Sequence, residues 1–184
     1  MMDIAIITVA GILAGFANAV AGGGTLISFP ALLAIGVPAV SANVTSSVGL
    51  TSGYLGGSVG YRRELRGQKG RAVRLGVTSL IGGITGALVL LVTPSDSFRA
   101  LVPYLVLLSC ALLLLQPALA RRVAHKRATA SEETASENTV PLHAGIFLSA
   151  LYGSYFGAGL GVLLLAVMGI FIDDNLQRLN GMKS

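Results

Sequence analysis

The chain is 184 residues long, 53% hydrophobic and only 11% charged, with 24 glycines and a mean hydropathy of +0.77. Soluble domains carry about 25% charged residues and about 7% glycine, so this composition excludes an ordinary water-soluble globule and makes lipid the solvent to reason in. A net charge of +5 would in a soluble chain invite nucleic acid. Here ten of the thirteen basic residues fall in two blocks between apolar runs, Arg62, Arg63, Arg66, Lys69, Arg71, Arg74 and then Arg121, Arg122, Lys126, Arg127, which marks cytoplasmic loops beside a lipid bilayer and excludes that partner.

In chain order, apolar runs long enough for the roughly 20 residues of a bilayer crossing lie near 43–61, 73–93, 98–119 and 142–172, after a first, interrupted run over 4–37. They predict an all-α, polytopic bundle of transmembrane helices, multi-pass in the cytoplasmic (inner) membrane. A cleaved signal peptide over Ile4–Ala21 is the competing reading of the first run, but Met1-Met2-Asp3 has no basic residue and the hydrophobicity continues for most of the chain. Within that first run Gly22-Gly23-Gly24 breaks the helix at membrane depth, where irregular backbone survives only if it is buried in protein or lines a cavity. Pro30 has no N–H and belongs in a first helical turn, so a short helix is expected to start there with Ser28 as its cap, leaving Thr25 to Phe29 extended with free amides.

Gly49, Gly53 and Gly57 are spaced by four, as are Gly82 and Gly86, and Gly153, Gly157 and Gly161. That spacing puts them on single helix faces, where their reading is close helix packing. Residues 126–140, with Ser-Glu-Glu-Thr-Ala-Ser-Glu inside them, lack apolar periodicity and read as a flexible linker. The organisation expected is a first transmembrane repeat over 1–119, a cytoplasmic linker over 120–140, and the start of a second repeat over 141–184. An offset of 137 sets Gly159 and Gly161 over Gly22 and Gly24, Asn180 over Asn43 and Ser184 over Ser47. Internal duplication with glycine-broken helices is the plan of many secondary transporters, and the second copy stops as it enters its second helix, as a fragment would.

The uncharged polar residues near the breaks are Asn18, Thr25, Asn43, Thr45, Ser46, Ser47, Tyr152 and Tyr155. They are able to donate hydrogen bonds to an oxyanion, and equally able to bond to their own helix or glue one helix to the next. Of these, Asn18, Thr25, Asn43, Thr45, Ser46 and Tyr155 make the candidate substrate site with Gly22, Gly23, Gly24, Gly159 and Gly161. Asn43-Val44-Thr45 is a glycosylation sequon that abuts an apolar span and reads as chance. All eight acids lie at ends, loops or the linker, and His125 and His143 flank the linker. No carboxylate is placed for an intramembrane proton relay, and no parts are present for a metal cluster or a nucleophile with its base, so neither a cofactor nor an enzyme is implied. Cys110 reads as a small apolar residue.

The run Ala21-Gly22-Gly23-Gly24-Thr25-Leu26-Ile27-Ser28-Phe29-Pro30-Ala31-Leu32-Leu33, then Gly36-Val37-Pro38 and Ala42-Asn43-Val44-Thr45-Ser46-Ser47, resembles the first half of the sulfite exporter TauE/SafE family of membrane permeases. The weaker run Gly157-Ala158-Gly159-Leu160-Gly161 sits where that family has its second glycine run, although Val167 stands where a proline is usual. The resemblance implies membrane transport of sulfite, sulfonates or related small sulfur-containing anions. A non-transporting helical scaffold subunit of a membrane complex, or a permease for an unrelated small anion, fits the same residues, and a homo-oligomer is compatible with the glycine faces. Residues 24–37 are long enough to cross the membrane, which with the charge pattern predicts an external N-terminus and inverted repeats.

Overall fold

The computed structural model describes residues 2–21, 23–60, 69–129, 139–172 and 178–179. Gly22, the first basic block through residue 68, the linker core 130–138, and Asn180 and Ser184 of the repeat match lie outside the described residues. Among the described residues the chain is seven α-helices and no strand. These are α1 (Met2–Ala21), α2 (Thr25–Ala34), α3 (Ala39–Gly60), α4 (Lys69–Val92), α5 (Ser95–Thr129), α6 (Thr139–Phe156) and α7 (Leu160–Phe171). The segment 120–129, expected in the linker, continues α5 instead.

Hydrophobicity is turned outward. Leu80, Ile84, Leu88 and Leu91 of α4 and Leu107, Leu114 and Leu115 of α5 are exposed, while Asn18, Thr25, Asn43, Ser46, Ser109 and Ser149 are buried. A soluble protein would invert that arrangement, because water rewards polar surface; lipid tails do not, and they favour helices that meet through small and hydrogen-bonding residues. Gly70–Val92 of α4 and Ser95–Leu115 of α5 are long and apolar enough to cross a bilayer, and α1, α2 and α7 carry shorter apolar stretches. In α3 the run Asn43, Thr45, Ser46, Ser47, Thr51 and Ser52 lowers the apolarity of a helix expected to span.

Both expected glycine breaks are present, and each folds the chain back on itself. A Cβ at Gly24 would strike the carbonyl oxygen of Ala14 and lie 2.9 Å from Asn18 Cβ and 3.0 Å from Leu50, so the chain turns just after α1 and α2 returns between α1 and α3. Ser28 pairs with Ser46, and together with Gly24 on Leu50 this runs α2 antiparallel to α3. In the second hairpin a Cβ at Gly153 would meet Leu160 at 2.6 Å and one at Gly145 would meet Val167 at 2.7 Å, so α6 and α7 are likewise antiparallel.

The two hairpins run in opposite senses. Phe29 and Leu32 of α2, Ala42 of α3, Leu90 of α4, Phe98 of α5 and Phe156 of α6 form one core at one end of the bundle. Leu75 of α4, Leu142 and Ile146 of α6, and Leu164, Met168 and Ile172 around α7 form a second core at the other end. Helices α2, α4 and α6 therefore run toward the first core while α3, α5 and α7 run away from it, and α1, antiparallel to α2, runs away too. The paired register of α4 and α6 agrees, since Thr78 meets His143, Gly82 meets Phe147 and Gly86 meets Leu151.

One part of the sequence reading is corrected. Thr25 to Phe29 are helical, not extended, and Pro30 sits inside α2 instead of opening it. The amides of Leu26, Ile27 and Ser28 are taken by the carbonyls of Gly23 and Gly24, and Ser28 Oγ bonds back to Gly24 O at 3.2 Å in place of capping. Pro30 is exposed on α2, six residues in, and its missing N–H removes the one helical bond that the Leu26 carbonyl would accept.

Packing against a neighbouring backbone makes some of the helix glycines irreplaceable and leaves others free. At Gly86 an added Cβ would collide with the Leu151 carbonyl, whereas at Gly76 on the same helix it would meet nothing within 4 Å. Gly86→Ala is expected to cost about 1–3 kcal/mol by forcing α4 and α6 apart. Gly76→Ala should gain a few tenths up to about 1 kcal/mol from helix propensity. Thermal denaturation of the two variants in detergent checks the pair.

Candidate functional site

The two breaks meet in the interior. A Cβ at Gly157 would lie 3.2 Å from Thr25 Oγ1 and 3.1 Å from Ser47 Oγ, so the turn between α6 and α7 rests on the first residue of α2 and on α3. Phe29 and Phe156 pack edge to face there, with centroids 5.5 Å apart. The turn is built by two glycines in the left-handed region, Gly157 and Gly159, both at φ 82°, a conformation a side chain at either position would strain.

Breaking a helix in an apolar interior strands its last carbonyls, and two side chains attend to them here. Asn43 Nδ2 donates to the Tyr155 carbonyl at 2.9 Å. Ser109 of α5 lies 3.2 Å from the Ala158 carbonyl, 2.8 Å from its own Leu105 carbonyl and 2.7 Å from the Tyr152 hydroxyl. Its one proton is shared between the two carbonyls while Tyr152 donates to its oxygen. Both Asn43 and Ser109 are fully buried, at 1% and 0% exposure.

The starts of the two short helices are attended differently. Gly24 precedes α2 and Gly159 precedes α7, and neither helix has a side-chain cap. Gly24, Thr25, Gly159 and Gly161 are all buried. Since α2 runs toward one core and α7 toward the other, their positive ends converge on the Thr25–Gly157 contact. Residues 4–61 and 141–172 contain no Asp, Glu, Lys or Arg, so no fixed charge from these stretches competes with that field.

A second part of the candidate site faces the other side of α2. A cavity of about 300 Å³ lies between α1, α2 and α3, with Asn18, Ser28, Thr45, Ser46 and Ser52 as its polar lining and Gly11, Gly15, Gly49 and Gly53 along its walls. Tyr54 reaches Asn18 Oδ1 at 3.4 Å. Ser28 and Ser46, which pair with each other, both line this cavity.

The residues singled out from sequence thus divide. Thr25, Asn43, Gly159 and the Tyr155 carbonyl gather at the junction, with Gly161 the second residue of α7. The Tyr155 ring packs edge to face on Phe98 at 5.7 Å. Asn18, Thr45 and Ser46 line the cavity. Gly23 and Gly24 are buried in the first turn, Gly24 against the α1 backbone and Gly23 with Leu113 of α5 at 2.9 Å from a Cβ position. Ser109 was not anticipated; a lone hydroxyl midway along the apolar stretch of α5 is the signal that points to it. Ser28 was anticipated only as a cap.

Ser109→Ala would leave the Ala158 carbonyl and the Tyr152 hydroxyl without this partner, at an expected cost of about 1–3 kcal/mol. Cys110→Ala, its exposed neighbour, should leave the melting temperature unchanged. Thermal unfolding of both in detergent is the measurement.

The model of the sulfite exporter TauE/SafE family matches residues 7–184, and the chain belongs to that family. A probable membrane transporter protein, ORF9, of Sinorhizobium sp is 29% identical over 173 residues, covering 91% of this chain and 63% of its own length. Probable membrane transporter protein YfcA of Escherichia coli K12 is 29% identical over 116 residues, covering 62% of this chain and 43% of its own. A probable membrane transporter protein of Haemophilus influenzae is 27% identical over 184 residues, covering 95% of this chain and 66% of its own. The chain therefore spans less than two thirds of each of these relatives. No solved structure matches.

Proposed function

We propose that this TauE/SafE family member forms the substrate path of a permease that carries small sulfur-containing anions, such as sulfite or a sulfonate, across the cytoplasmic membrane. The observation that carries the reading is the convergence of two uncapped, buried helix starts, those of α2 and α7, on one point between oppositely running broken hairpins. The amides of Leu26, Ile27, Ser28, Val162 and Leu163 bond to the Gly23, Gly24 and Gly159 carbonyls, so what the two starts chiefly offer is the positive ends of their dipoles, for which an anion is the favoured partner. Half-helices aimed at the middle of the bundle are the way secondary transporters hold anionic groups without a fixed cation.

The opposed senses of the α1–α2 and α6–α7 hairpins support two inverted repeats, with residues 1–119 as the first and 141–184 as the start of the second. With the basic segments before α4 and after the apolar part of α5 on the cytoplasmic side, α1 would begin outside. The scaffold reading loses part of its basis, because the glycine face of Gly82 and Gly86 is filled by α6 within the chain.

Radiolabelled sulfite flux into proteoliposomes, with taurine and sulfoacetate as competitors, tests transport. Thr25→Asp places a carboxylate at the start of α2, where it would occupy the place of the anion. That variant is expected to insert normally, lose flux by at least about tenfold, and lose any thermal stabilisation by sulfite. Wild-type flux in a well-inserted Thr25→Asp protein would move the anion elsewhere. For orientation, Asp3→Cys in a Cys110→Ala background should react with a membrane-impermeant maleimide in intact cells; reaction only after lysis would place the N-terminus inside.

A further inference from the structure

Asn43 is half satisfied. Its Nδ2 donates to the Tyr155 carbonyl, and because a carbonyl can only accept, that bond fixes which lobe of the amide faces α6. The other lobe, Oδ1, is buried and accepts from no donor among the described residues. A buried acceptor left empty is uncommon and calls for a partner. Its neighbours are the parts of the junction: Ser47 one turn along α3 on the same face, and the Gly157 turn resting on Ser47 and Thr25.

We propose that the transported anion carries a hydrogen-bond donor and is recognised as a monoanion by that donor, an O–H or N–H given to Asn43 Oδ1 while its oxygens lie toward the starts of α2 and α7. This rests on the transport reading above and specifies its substrate class. Two independent features agree. The helix starts offer the positive ends of their dipoles to oxygens, and Oδ1 offers the opposite, so a ligand that only accepts satisfies one half of the junction and leaves the orphan in place. The junction also has no fixed cation in residues 4–61 or 141–172, and the solvation lost on burial grows as the square of the charge, so a dianion would forfeit about four times what a monoanion of the same size does. Hydrogensulfite meets both conditions; sulfite dianion and sulfate meet neither.

Sulfamate and methanesulfonate separate the donor from everything else, since they are monoanions of nearly the same shape and only sulfamate has N–H groups. Each is used to inhibit radiolabelled sulfite flux in proteoliposomes of the wild-type protein at neutral pH. Sulfamate is expected to half-inhibit at about tenfold lower concentration than methanesulfonate, a ratio in the range for satisfying a buried acceptor that methanesulfonate leaves empty. In Asn43→Leu the two should inhibit alike. Equal inhibition in the wild type, as an ordered water on Oδ1 would produce, overturns the inference while leaving transport standing; the comparison does not depend on the variant folding. A ratio retained in a folded Asn43→Leu protein also overturns it, by moving the donor's partner elsewhere. Absence of any sulfite flux from correctly inserted protein sinks the transport reading and this inference with it.

Discussion

The rest of the molecule depends on how broken backbone is kept satisfied in an apolar interior. Two helices stop within the bundle, at Ala21 and Phe156, and the chain turns through glycines before a short helix resumes. In water the stranded carbonyls would be hydrated at little cost; in hydrocarbon each unpaired group costs several kcal/mol. Asn43 and Ser109 answer that cost from α3 and α5, one on the Tyr155 carbonyl and one on the Ala158 carbonyl. These bonds also hold the turn against helices that belong to the first half of the chain. The same contacts that make the break tolerable therefore fix where its helix starts are aimed.

The two hairpins differ in what surrounds them. The second is packed closely, with Leu160 against Gly153 and Val167 against Gly145, and α4 laid along α6 through Gly82 and Gly86. In the first, Gly11, Gly15 and Gly49 have nothing within 4 Å of a Cβ position, and the cavity between α1, α2 and α3 lies along them. Four-residue glycine spacing looks identical in both cases on paper. Whether it means contact or open wall is decided by which helix lies opposite, a tertiary fact that spacing does not carry.

Much of the architecture was legible because membrane folding simplifies the grammar. Long apolar runs give helices and glycine clusters give breaks; the breaks at 22–24 and 157–159 were readable for that reason. Local rules failed where tertiary packing outweighed them. Proline favours a first turn, yet Pro30 lies six residues into α2, because the close approach of Gly24 to α1 starts the helix earlier, at the loss of the one bond to the Leu26 carbonyl. Asn43, Thr25 and Ser46 stood out as polar residues beside a break, but the sequence did not divide them between junction and cavity. Ser109 escaped notice since one serine in an apolar helix ordinarily bonds back to its own helix. It does so here, to Leu105, while also reaching the break.

The difference between the hairpins bears on access. A carrier must never leave its site open to both sides at once, so two like walls have to be held unlike at any moment. Under the proposed inverted plan, the closely packed α6–α7 hairpin would be the shut wall and the α1–α2 hairpin, with Ser28 and Ser46 lining its cavity, the wall placed to open. The paired hydroxyls are small side chains on the cavity wall, and Ser46 lies three residues along α3 from Asn43. Ser28 also bonds to the Gly24 carbonyl. Opening toward the junction would then ask for a small shift of α2 against α3, α2 being bounded by the glycine turn at one end and by Gly36, at φ 87°, at the other. A short helix flanked by glycines can make that movement without unsatisfying its own backbone, because its internal hydrogen bonds travel with it.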